Sequence, residues 1–195
     1  MEYELMGEPF DFEGFVSLTK KQAEAYFQWY LGQIDGRIHQ LESYIKDTSN
    51  CKVIFDYSVE SLIPLWEWYE TKIIVEEMSQ DEIEEELEGR PDWMQAEILK
   101  DTTKISIKTW AFGMDIAMYF AEVFIKHNPS VKWGYFTKPK SRVSLNRPVL
   151  LGFVGGKDLD PRRIVVNCTY RSIREKKMSR LYDLYYVWQG AIIKS

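Results

Sequence analysis

Between Ala23 and Ile45 the apolar residues Ala23, Phe27, Tyr30, Leu31, Ile34, Ile38, Leu41 and Ile45 recur every three or four positions. That spacing draws one apolar stripe along an α-helix of about seven turns. A stripe this long cannot bury itself, so the rest of the chain must supply the surface that covers it. The helix has a clear start: Thr19 as N-cap and Gln22 three residues on make a capping box. Gly32 and Gly36 interrupt it at ~1 kcal/mol each against Ala, which predicts close packing by another element there.

The remaining pattern is mixed. Residues 51–57 read as a short strand, and a helix follows from Ser58 or Pro64 with Leu62, Leu65, Trp66 and Tyr69 on its apolar face. Ser79 and Glu82 form a second capping box before an acidic helix that Gly89, Arg90 and Pro91 stop; Pro91 opens a further turn toward Leu99. The most apolar helix starts near Thr103 or Ser106, carries Trp110, Met114, Ala117, Met118, Ala121 and Phe124, and ends at Asn128-Pro129. The texture then changes. Val131, Trp133 and Tyr135 alternate as on a strand, and residues 143–154 read as a second strand disturbed by Pro148. Asp160 and Pro161 fit the N-cap and first position of a helix to Arg174, although Ile164, Val165 and Val166 leave a strand open there. A last helix starts at Ser179. The expected fold is α+β: a helix-rich N-terminal two thirds, a small and mainly antiparallel C-terminal sheet, and closing helices. One domain over residues 1–195 is expected, with 1–17 as an N-terminal arm.

Charge divides the chain. Residues 1–125 hold 10 Lys/Arg and 26 Asp/Glu, whereas residues 126–195 hold 15 Lys/Arg and 4 Asp/Glu. Pairing of the two parts within the fold is the simplest expectation; head-to-tail association into a homo-oligomer and two separate charged faces are the alternatives. The acidic run over residues 76–88 contains eight carboxylates and no base. Within it Glu84, Glu85 and Glu86 are candidate docking residues for a basic partner. Lys132, Lys138, Lys140, Arg142 and Arg147 interleave with Trp133, Tyr135 and Phe136, a composition also found on single-strand nucleic-acid platforms. The alternation of Trp133 and Tyr135 fits a buried sheet face better. Trp133, Tyr135, Arg142 and Arg147 are kept as candidate binding residues all the same, with a protein as the expected partner and nucleic acid as the lesser alternative.

Catalytic signatures are missing from the sequence. There is no nucleophile elbow, no P-loop and no metal-ligand cluster. Neither a metal nor a cofactor is expected. Asp115 and Glu122, two turns apart on one helix face, are the best carboxylate pair, with His127 as a further acid–base candidate. The plainer reading is an ion-paired stripe facing the basic C-terminal third. Cys51 and Cys168 read as free, buried thiols of a reducing compartment. With no signal-type N-terminus and no bilayer-length apolar run, a cytoplasmic location away from membranes is expected.

Residues 55–62 (FDYSVESL), followed by 65–69 (LWEWY), resemble a motif of small uncharacterised bacterial proteins. The run 119–123 (YFAEV), with Trp133 on a following strand, is similar to a helix-to-strand element of the same group, with Ala121 where that pattern often has Gly. The likeness covers about half the chain. Such proteins look like immunity partners of secreted toxins. The resemblance implies inhibition by binding, with a basic toxin domain as partner, and carries over no active-site residue. A non-enzymatic protein-binding protein is the leading expectation.

Overall fold

A computed structural model describes residues 2–193. Seven α-helices and four short strands follow one another along these residues, two helices before the first strand and two after the last. The first helix, α1 (Lys20–Thr48), begins on the expected capping box, with Thr19 and Gln22 each accepting from the other's backbone N–H. Its stripe is buried as the spacing demands except at Leu31, which is half-buried, and Tyr26, Arg37 and Tyr44 are buried with it. Gly32 and Gly36 are exposed, and a Cβ at either would meet nothing within 4 Å. The close packing expected there is found instead at Gly113 of α5 (Ile107–His127), where a Cβ would lie 3.0 Å from Tyr69 Oη and 3.4 Å from Val165 Cγ1.

Helix α5 is the hub. Ser106 caps it, its side chain accepting from Thr109 N, and Asn128 ends it. Twelve of its residues are buried, enough to put apolar side chains on every face, so neighbours must surround it. Those neighbours are α1, α2 (Leu62–Glu70) and α6 (Pro161–Arg174). The alternative at residues 160–174 resolves as helix: Asp160 Oδ1 accepts from the backbone N–H of Arg162 and Arg163, and Pro161 takes the first position. Closing helix α7 (Arg180–Gln189) packs on α2 and α6. A buried Glu70 carboxylate fastens that corner, accepting from Trp66 Nε1 at 3.1 Å, Ser172 Oγ at 2.5 Å and Lys177 N at 2.9 Å.

The fold is α+β, with its strands in two antiparallel pairs. The C-terminal pair is β3 (Lys132–Gly134) with β4 (Val149–Leu151), in register Trp133↔Leu150. The strand expected over residues 143–154 is shortened to three residues. Asn146 at φ 59° and the N–H-less Pro148 precede it, and Gly152 ends it at φ 115°, where a Cβ would strike Ser130 O at 2.4 Å. The second pair lies outside the C-terminal third: β1 (Val75–Glu77) runs beside β2 (Thr103–Ile105). Residues 51–57 form no strand. Ser58 N donates to Asp56 Oδ1 in an Asx turn, Tyr57 sits at φ 61°, and Phe55 and Tyr57 instead lay their rings on Tyr119 of α5.

Residues 2–17 contain no regular element, but they are tied down at both ends. Tyr3 is buried and its hydroxyl donates to Asp115. Arg37 Nη1 and Gln40 Nε2 each donate to Glu4 O at 2.9 Å. At the other end Asn146 Nδ2 donates to Phe15 O and Leu18 O. The arm is thus a strap lying over α1 and α5.

Candidate functional site

The expectation that acidic and basic parts pair with each other is overturned. Among the described residues every ion pair joins partners within residues 1–125 or within 126–195, and none crosses between them. Asp115 shows why. Its carboxylate is held by Arg37, whose Nε and Nη2 donate at 2.9 and 2.7 Å, and by Tyr3, so its partners come from α1 and the strap. Burial lifts the Asp115 carboxyl above the usual carboxylate range against the pull of these donors.

The unpaired negative charge collects on one projection. Between β1 and β2 the chain makes two short helices, α3 (Gln80–Leu87) and α4 (Asp92–Ile98), that pack on each other. Ser79 and Glu82 form the expected capping box, and Gly89 at φ 68° turns the chain between the helices. No residue from 75 to 104 is buried. The β1–β2 ribbon is the base of this lobe. It holds eleven carboxylates against Arg90, Lys100 and Lys104, each already paired with a lobe glutamate. Glu84 and Glu85 face no cation, while Glu86 holds Arg90 at 3.4 Å. Glu84, Glu85, Glu88 and Gln95 border a shallow open depression. Trp93 stands 70% exposed on the same lobe, the kind of ring that anchors an interface, and nothing in its own segment had singled it out.

The basic and aromatic residues expected to form one surface separate. Trp133 and Tyr135 turn toward α1: Trp133 meets Tyr30 edge-on at 5.6 Å, and Tyr135 lies 4.8 Å from Phe27 and donates to Glu24. Both rings are partly buried, so Trp133 is less enclosed than an inner-face position implies. Arg142 and Arg147 line a different cleft of about 490 Å³ with Asp158, Asp160, Arg163 and Trp188. Arg142 pairs with Asp158 and stacks 3.6 Å from the Phe136 ring centroid; Arg147 lies 3.8 Å from Asp160. Rings and cations therefore do not alternate along one stacking platform.

The acid–base candidates are not brought together either. Glu122 accepts from Trp133 Nε1 at 2.9 Å, His127 Nε2 donates to Tyr57 O at 2.9 Å, and Asp115 is closed within its own network. Glu122 and His127 are thus single contacts between elements. Cys168 is buried as expected, whereas Cys51 is exposed, because its segment is not the buried strand assumed for it. No helix is long and apolar enough to cross a membrane among the described residues.

One buried charge was not legible in the sequence. Arg162 is 12% exposed at its side chain and lies over the rings of Phe15 and Tyr30. Its Nη1 donates to Tyr26 Oη at a long 3.4 Å, and Nε is 4.0 Å from Asp160 Oδ1. Nε and Nη2 reach no acceptor among the described residues, and the buried Tyr30 hydroxyl has no partner either. An arginine keeps its proton, so each of these unpaired donors carries an uncompensated desolvation cost of ~1–3 kcal/mol. No family model, no curated protein and no solved structure matches this chain.

Proposed function

We propose that the protein is a non-enzymatic binding protein that docks a basic protein surface with the acidic lobe between β1 and β2. One observation carries the reading: a segment of eleven carboxylates projects with no buried residue and no ion pair to the basic third among the described residues, although Arg174 acts on Asp101 at its base. Such a surface speeds encounter with an oppositely charged partner, and the exposed Trp93 supplies an apolar anchor once contact is made. The resemblance to toxin-immunity proteins makes a basic toxin domain, met in the cytoplasm, the partner class to try first.

The test uses the protein immobilised to capture basic partners, followed by stopped-flow kinetics on each purified complex. Substituting Glu84, Glu85 and Glu86 by Gln is expected to lower the association rate about tenfold at low salt, with dissociation little changed. Trp93→Ala is expected to act on dissociation instead. Association that ignores both salt and the triple substitution would overturn the reading.

A further inference from the structure

We propose that the cavity beneath the N-terminal strap binds a small monocarboxylic acid with an apolar body, its carboxylate taken by Arg162. The cavity is about 220 Å³, room for an aromatic ring or a short alkyl chain. Met6 of the strap and Ile107, Trp110, Ala111 and Met114 of α5 give it apolar walls. Two cations also line it, Arg37 and Arg162, together with Tyr26 and one carboxylate, Glu8, which sits on the strap and makes no ion pair among the described residues.

These two arginines differ in one respect. Arg37 presents the Nε–Nη2 edge of its guanidinium to Asp115 and so holds a carboxylate on two parallel bonds. The same edge of Arg162 has no acceptor among the described residues, although the side chain is nearly as deeply placed. Asp160, 4.0 Å from Nε, is committed to capping α6 through the N–H groups of Arg162 and Arg163. An arginine fork matches a planar carboxylate, and the apolar lining selects what the carboxylate is attached to.

Nε and Nη2 are buried, so a carboxylate reaches them only when a wall lifts. The strap is the wall able to yield. Between its two anchors, residues 5–13 make no backbone–backbone hydrogen bond, whereas the other walls are helices. Binding therefore orders the strap. The inference is independent of the acidic lobe and of any partner docked there.

The probe is sodium octanoate, with octan-1-ol as the uncharged control, titrated into the full chain and followed by NMR at the arginine Nε–H resonances. Octanoate is expected to bind saturably, to shift the Arg162 Nε–H signal, and to bind at least tenfold more tightly than octan-1-ol. Arg162→Gln is expected to erase that preference. Ala111→Phe fills the cavity, leaves the guanidinium in place, and is expected to abolish binding of both probes. Octanoate is also expected to slow proteolysis within residues 5–13 of the unsubstituted protein. Equal affinity for the two probes, no saturable binding, or octanoate binding unaffected by Ala111→Phe overturns the proposal.

Discussion

Single side chains in this molecule differ sharply in what they contribute, and the differences can be measured. Gly32 and Gly36 face open space on α1, so Ala at either position gains helix propensity without a clash. Each substitution is expected to raise stability by about 1 kcal/mol in a denaturant melt. Asp115→Asn is expected to do the opposite, lowering stability by about 3–5 kcal/mol, because it leaves Arg37 charged and buried without its counter-ion. The same melt then reports whether the strap has loosened, since Tyr3 and Arg37 share that carboxylate. The two thiols should separate in a labelling experiment. Cys51 is exposed, whereas burial pushes the Cys168 thiol up to about 11. At pH 8 a thiol reagent is expected to modify Cys51 alone in the native protein and both cysteines only after unfolding. None of these contrasts is written in residue type alone. The sequence offers nine arginines, two cysteines and eleven glycines, and the packing of distant segments decides which are enclosed.

At the scale of elements, the lobe is the sharpest case. None of its residues is buried, so replacing residues 79–101 by Asn-Gly should close β1 and β2 into a tight hairpin. The bond from Met78 N to Thr102 O already brings the joined ends together. The shortened protein is expected to keep its near-UV circular dichroism and melting temperature while losing fast association with a basic partner. Helices were the most legible elements because their signals are local: the capping boxes at Thr19 and Ser79 and the Asp160–Pro161 start each lie within four residues. Strands were less legible because their partners are distant. Val75–Glu77 and Thr103–Ile105 are three residues each and gain their identity only by pairing across the whole lobe. The segment 51–57 had strand composition but found ring contacts on α5 in place of a neighbouring strand. The acidic candidates Glu84 to Glu86 were visible as a charge run, while Arg162 was hidden because its isolation depends on the strap, α1 and α6 together.

For the whole molecule, the interior is unusually rich in phenols, and this sets its alkaline limit. Burial raises the hydroxyls of Tyr26 and Tyr119 to about 12, and those of Tyr3, Tyr30 and Tyr69 higher still. The folded state therefore keeps protons that the unfolded chain begins to lose near pH 10, so the stabilisation is complete below pH 10 and falls away as pH rises toward and past 12. Tyrosinate absorbance is expected to rise in two phases, the second coinciding with loss of helix. A single phase centred near pH 10 with the fold intact would contradict this burial. The lobe stands outside that interior, and its ends leave the body side by side on paired strands. Its ribbon borders Tyr170, Ile173 and Arg174 of α6, but no residue from 75 to 104 is buried against the body. Substitutions can accumulate there and redirect what the protein recognises while the five helices of the body stay as they are, and the lobe itself can be transplanted onto any hairpin that accepts its two ends.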